Sequence, residues 1–241
     1  LKPDYSLHIM GDDIYLSSSL NKYRGNGSAD IYITGQDTIS ISGTFTPDPH
    51  SFLITDIEKN EFEYIDFSKN NKYHIYDIHI PFEDGIVLDT ENSHIFIDGD
   101  VTMSKTGHDN FTYSGKINII DGRYYDNQGN VFEDITGNLF LSPDPNSSYM
   151  DLHSNIDINS SRINVAIIGD PNSPQVYLAD ADGQFSQTEL LTMLTLGSSE
   201  IDLQNNIAQV ENLFSNYLQT TFERNIAKAT SLDQFQLSTG N

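Results

Sequence analysis

The chain has 241 residues, and its 12 Lys and Arg against 35 Asp and Glu give a formal net charge of −23, with neither Cys nor Trp present. That balance excludes gripping nucleic acid or an anionic bilayer through the overall field, and the lack of Cys excludes disulfides, a thiolate nucleophile and a Cys-type zinc site. No apolar run approaches the roughly 18–20 residues that cross a bilayer as a helix, no signal peptide is legible, and the stretch from Leu1 to Asn241 reads as an internal fragment of something longer.

From residue 5 to 180 the governing signal is period two, the mark of strands with one dry and one wet face. The apolar bursts begin with Tyr5, Leu7 and Ile9, then Ala29, Ile31 and Ile33, then Ile39 and Ile41. Tyr73 and Ile75 follow, then Ile95 and Ile97, Ile117 and Ile119, and Leu139 and Leu141. The last bursts are Ile156 and Ile158, then Ile163, Val165 and Ile167, and finally Val176 and Leu178. Turn residues separate them, among them Gly25-Asn26-Gly27, Asp98-Gly99-Asp100, Asp121-Gly122 and Pro143-Asp144-Pro145. Such spacing, roughly 8–15 residues, predicts a mainly β domain. The wet positions carry Ser, Thr, Asn, Asp and His rather than a mix of Lys and Glu. Alternation alone fits a closed sandwich, whose dry faces meet, as well as a rolled open sheet whose dry face lines a groove.

The pattern changes after Asp182. Ser186 and Glu189 form a capping box, and Leu190, Leu191, Met193, Leu194 and Leu196 crowd a short helix ending at Gly197. This helix is too apolar to lie free on a surface: it plugs one end of the β core, or it closes a groove or meets a partner, and these roles are compatible. A second helix is expected over about 200–228, with Leu203, Ile207, Val210, Phe214, Tyr217 and Phe222 at three-four spacing. Alternation returns at Phe235 and Leu237. No linker is evident, so residues 1–182 are read as the β region and 183–241 as helical segments and tail of the same domain.

Candidate chemistry is sparse. None of the seven His pairs with another at metal-ligand spacing on a helix, and His74 and His79 would point to opposite faces of a strand. Asp180 and Asp182 beside Gly183 resemble part of a calcium loop but lack its further acidic ligands; an acidic turn before a helix is the simpler reading. Carboxylate pairs are too plentiful for any one to mark a glycosidase. There is no Gly-x-Ser-x-Gly elbow and no Gly-rich phosphate loop. No enzyme, cofactor or metal is expected. Tyr124, Tyr125 and Phe132 read as aromatic cross-strand pairs of a hairpin.

Several segments, in order, resemble the TamB C-terminal domain family. The run from Gly115 to Pro143, GKINIIDGRYYDNQGNVFEDITGNLFLSP, resembles that family's strand, Tyr-rich turn, Phe and Gly-x-Leu/Ile-x-Phe, the last standing here as Gly137-Asn138-Leu139-Phe140-Leu141. Ile156 and Ile158 follow, then VAIIGDP from Val165 to Pro171, then Val176 to Leu178. FSQTELLTMLTLG, from Phe185 to Gly197, matches the Leu-rich helix. The likeness is close over about residues 115–241 and one of style before that. One departure is Ala181-Asp182-Gly183, which stands where the family commonly has a Pro-Pro pair.

The resemblance implies the periplasmic part of a bacterial envelope protein anchored in the inner membrane. It implies a non-enzymatic, elongated rolled β-sheet, a β-taco, with an apolar groove. Its C-terminal end would meet an outer-membrane barrel of BamA/TamA type, and its roles would be phospholipid transport and outer-membrane protein assembly or secretion. The expected groove residues are Ile117, Ile119, Leu139, Leu141, Ile156, Ile158, Val165, Ile167, Val176 and Leu178; the expected partner contacts are Leu190, Leu191, Leu194, Phe235 and Leu237. Twelve or so strands at about 4.8 Å would make a groove of roughly 60 Å. The alternatives are an extracellular adhesin or passenger-type domain binding protein or glycan through its loops, with a closed core, and a polysaccharide-cleaving β enzyme with convergent carboxylates.

Overall fold

The structure, a computed structural model, describes residues 4–18, 23–50, 53–55, 73–107, 109, 111–126, 129–171 and 173–196. In chain order its strands are β1 (Tyr5–Ser18), β2 (Tyr23–Gly35), β3 (Thr38–Pro47), β4 (Leu53–Thr55), β5 (Tyr73–Asp89) and β6 (Ser93–Thr106). They continue with β7 (Thr112–Tyr125), β8 (Val131–Leu141), β9 (Tyr149–Ile158), β10 (Ser161–Gly169) and β11 (Gln175–Asp180). One helix follows, α1 (Gln187–Leu196). The second helix expected over 200–228 lies outside the described residues.

Ten strands form a single path, β1-β2-β3-β5-β6-β7-β8-β9-β10-β11, and its first and last strands do not pair, so the sheet is open. Ten strands span about 43 Å across the path, shorter than the twelve-strand expectation. Successive strands pair antiparallel except β3 and β5, which run parallel. Strand β4 pairs with β2 and β5 beyond the end of β3. Tight turns join several neighbours. Between β9 and β10 only Asn159 and Ser160 intervene, with φ of 51° and 68°, the double left-handed geometry of a two-residue hairpin turn.

Residues directly opposite one another on paired strands share a face, so the register traces one dry face across the sheet. Leu7 faces Ile33, Ile33 faces Ile41, and Ile41 faces Tyr76. Two residues along β5, Ile78 faces Met103, and Ile80 faces Val101. Ile97 faces Ile119, and Ile117 faces Leu139, which faces Met150. Leu152 faces Ile167, which faces Val176. The opposite face carries Thr34, Ser40, Ser42, Asp77, His79, Asp98, Asn118, Asn138 and Asp151. β5 departs from the simple reading of alternation: Ile75 lies opposite Ser40, on the polar face, and Tyr73 is exposed. The dry face of β5 is instead borne by Tyr76, Ile78, Ile80 and Phe82, and after a bulge by Ile86 and Leu88.

Glycine lets neighbouring strands approach closely while this phase is kept. Gly99 of β6 has φ of 147°, and a Cβ there would sit 2.1 Å from the Lys116 carbonyl oxygen of β7. Gly137 of β8 has φ of 144°, and a Cβ would sit 2.1 Å from the Asp151 carbonyl oxygen of β9. Such backbone is open essentially to Gly alone, and glycines of this kind mark tight bends and close strand approach. Gly137→Ala is therefore expected to lower stability by about 1–3 kcal/mol or more. Gly183→Asn, at φ of 63° with nothing within 4 Å of the added Cβ, should stay within about 0.5 kcal/mol. Urea denaturation of the two variants checks the contrast.

Candidate functional site

The register puts all ten expected groove residues on the one dry face, but that face is covered unevenly. At its β11 end α1 lies against it. Leu190, Met193 and Leu194, at helical three-four spacing, form one buried cluster with Phe132, Ile156, Ile158, Ile163, Val165 and Leu178. Ile167 and Val176 pack at its margin, with Leu191 and Phe185. Six of the ten groove residues thus lie under or beside the helix. A second cluster, Phe45, Phe82, Ile86 and Ile97, is built from strand residues alone, and Ile117 and Ile119 pack at its margin half-buried. Leu139 and Leu141 are also half-buried. Tyr113, on the dry face opposite Met103, has its phenol pushed above the ordinary 10.0 by burial, the response of an ionisable group held away from water.

Of the expected partner contacts, Leu190 and Leu194 are 1% and 2% exposed and are turned into the chain's own sheet. Leu191 is half-buried beside them. Phe235 and Leu237 lie outside the described residues. Among the dry-face residues that sequence reasoning left out are Met150 and Leu152, Phe45, Ile78 and Ile80, and Phe82 and Ile86, the last two separated by the Glu83-Asp84-Gly85 bulge. The alternation of Met150 with Leu152 was the available signal for the first pair.

The helix is set in place by its N-terminus. Asp180, at the end of β11, accepts the backbone N–H of Gln184 on Oδ2 at 2.7 Å and that of Phe185 on Oδ1 at 3.4 Å. Its carboxylate thus holds the Ala181-Asp182-Gly183 turn. The capping box forms as the sequence predicts. Glu189 accepts the Ser186 N–H and hydroxyl on Oε2, both at 2.7 Å, and Leu190 N–H donates to the Ser186 carbonyl at 3.0 Å. Gln187 Nε2 donates to the Val176 carbonyl of β11 at 3.2 Å.

The two sheet edges differ. β11 is six residues long and has α1 beside it. β1 is fourteen residues long and exposes Tyr5, Leu7, Ile9, Met10 and Tyr15, with Leu7 at 51% and Met10 at 73%. The polar face carries cross-strand or near-neighbour pairs of His with carboxylates: His8 with Asp30 at 2.6 Å, His79 with Asp100, His94 with Asp89 at 3.1 Å and His153 with Asp151 at 2.9 Å. All are substantially solvated, a setting in which such pairs contribute little to stability. His74 and His79 do lie on opposite faces, since His74 sits opposite Ile39 and His79 opposite Thr44. Among the described residues no group of three or more His, Asp or Glu side chains is placed to hold a metal ion, and no helix is long and apolar enough to cross a membrane, which leaves strands out of account.

The hydrogen bonds from Ser186 hold the Glu189 carboxyl below its ordinary value of 4.5. A carboxyl lowered on folding stabilises the folded form above its unfolded pKa, and that contribution is lost as pH falls through the folded pKa. Helix docking is thus expected to be flat with pH above about 5 and to loosen on acidification below it. Hydrogen exchange over 187–194, normalised for intrinsic rate, should show the change, and Glu189→Gln should remove this component of it.

A family model described as the TamB C-terminal domain matches residues 3–241. No curated protein matches the chain.

Proposed function

This chain belongs to the TamB C-terminal domain family, and from that premise we propose that its dry face is a path for lipid acyl chains across the envelope. The family is one of envelope proteins associated with the translocation and assembly module. The observation that carries the reading is the apolar row from Leu7 on β1 to Val176 on β11, in which, among the described residues, Leu7 is exposed, Ile33, Ile41, Ile117, Ile119 and Leu139 are half-buried, and Ile78, Ile97 and Met150 are buried.

An acyl chain gains about 0.8 kcal/mol for each methylene taken out of water, so a stretch of groove covering about eight methylenes lowers the cost of carriage by about 6 kcal/mol. Because the row crosses the strands at about 4.8 Å a step, a chain lying along it meets apolar side chains at each step and need not re-enter water between them. The polar face supplies solubility, and its carboxylates repel anionic headgroups, which discourages the sheet from lying flat on a bilayer. Around this path the protein acts as a scaffold rather than an enzyme, in the periplasmic part of an inner-membrane-anchored protein. It would work with an outer-membrane barrel of BamA/TamA type, in phospholipid transport, in outer-membrane protein assembly, or in both.

The purified chain is expected to carry phospholipid detectable by native mass spectrometry, or to take it up after delipidation. Ile119→Asp places a carboxylate in the path and should lower occupancy at least about ten-fold, and Ile167→Asp should act in the same direction. Phe140→Asp, at an exposed position on the opposite face, should leave occupancy unchanged. A delipidated chain that never binds lipid, or equal loss in the Phe140 and Ile119 variants, would end the reading.

A further inference from the structure

Resting on the acyl-path reading, we propose that α1 is a removable plug: it fills the stretch of the path over β9, β10 and β11 and gives way when a chain passes. The two apolar clusters on the dry face are sealed by different means. The one at Phe45, Phe82, Ile86 and Ile97 is built from strand side chains alone. The one at Ile156, Ile163, Val165 and Leu178 is closed by Leu190, Met193 and Leu194, which belong to an element that crosses the face rather than forming part of it.

The chemistry of the contact favours exchange. Burial of Leu and Met side chains is non-directional, so an acyl chain laid along the same residues offers the sheet an equivalent covering. A helix of ten residues is too short to persist alone in water, and α1 therefore depends on the surface it covers. Its buried Thr192 donates its hydroxyl to the Thr188 carbonyl of the same helix at 2.8 Å, so that bond travels with the helix. The connection to β11 runs from Ala181 to Ser186; Ala181, Asp182 and Gly183 are exposed, and release of the helix has to break the bonds that the Asp180 carboxylate accepts from the Gln184 and Phe185 N–H groups.

The test uses the whole chain and a phosphatidylcholine bearing a diazirine on its acyl chain, with adducts mapped by mass spectrometry. In the parent chain labelling should fall on Ile33, Ile41 and Ile119, with little at Ile156, Val165 and Leu178. Ser186→Ala removes the exposed helix cap and leaves the buried face untouched. It should raise labelling at Val165 and Leu178 roughly five-fold, the shift in helix opening expected for loss of one cap. Leu190→Asp combined with Leu194→Asp should bring those sites level with Ile119. Equal labelling of Val165 and Ile119 in the parent would overturn the plug, as would unchanged labelling at Val165 in both variants while Ile119 stays labelled. Absence of labelling at every site would overturn the acyl path and the plug with it.

Discussion

A hydrogen-bond ladder decides which residue stands opposite which, and because side chains alternate, a slip of one residue would send a strand's whole apolar set into water. In this chain that constraint is met from β1 to β11. The bulges at Gly11 to Ile14, Phe82 to Ile86, Phe96 to Ile97 and Glu133 to Thr136 add residues without reversing the dry face. Asp13 and Asp134 take left-handed backbone in two of them, φ 57° and 52°, a conformation Asp tolerates better than most residues. Arg162 Nη2 donates to Asp134 Oδ2 at 2.8 Å and so ties the β8 bulge to β10, two strands away. Irregular backbone is thus the means by which the regular face survives.

The same alternation sets the division of labour between the faces. Apolar side chains on one side can serve a guest only because the other side keeps the sheet in solution without calling on them. Asp98, Asn118, Asn138 and Asp151 lie in one row across four strands, and Asn118 Nδ2 donates to Asp98 Oδ1 at 2.5 Å. Most of the aromatic residues that remain exposed on the later strands, such as Phe140, Tyr149 and Tyr177, belong to this polar face. There Phe140 is covered in part by the ammonium of Lys116, 5.4 Å from its ring centroid, a contact favoured by the ring quadrupole.

Much of this was legible beforehand. Period two located the strands, and the ten residues expected along the groove share one face because none of their strands was read out of phase. The capping box of Ser186 and Glu189 placed α1 to the residue at its start. What the sequence concealed has physical causes. In β5 the pair Tyr73 and Ile75 imitates a dry face, but the run from Tyr76 to Phe82, one step out of phase, has the neighbours that bury it. Bulges hid Phe82 and Ile86 by breaking the period locally. The parallel pairing of β3 with β5 depends on contacts distant in sequence, which no local pattern records. Coverage of the dry face differs along the sheet among the described residues, since α1 packs over β9 to β11 while the Phe45, Phe82, Ile86 and Ile97 cluster is made by strand residues alone, and neither is written in the strands' own alternation.

The unlike edges of the sheet have a bearing on how the molecule behaves in a crowd. Among the described residues no strand pairs with the outer side of β1, and a strand of fourteen residues exposing Leu7, Ile9 and Met10 is a template on which another strand can add, so that two such molecules meeting edge to edge would satisfy each other's backbone groups. What keeps them apart is long-range: each carries a charge of −23, and the repulsion acts before the backbones come within bonding reach. That protection is only as long as the Debye length, about 10 Å at 0.1 M salt and about 3 Å at 1 M. On these physical grounds edge-to-edge association of this chain is expected to rise with ionic strength.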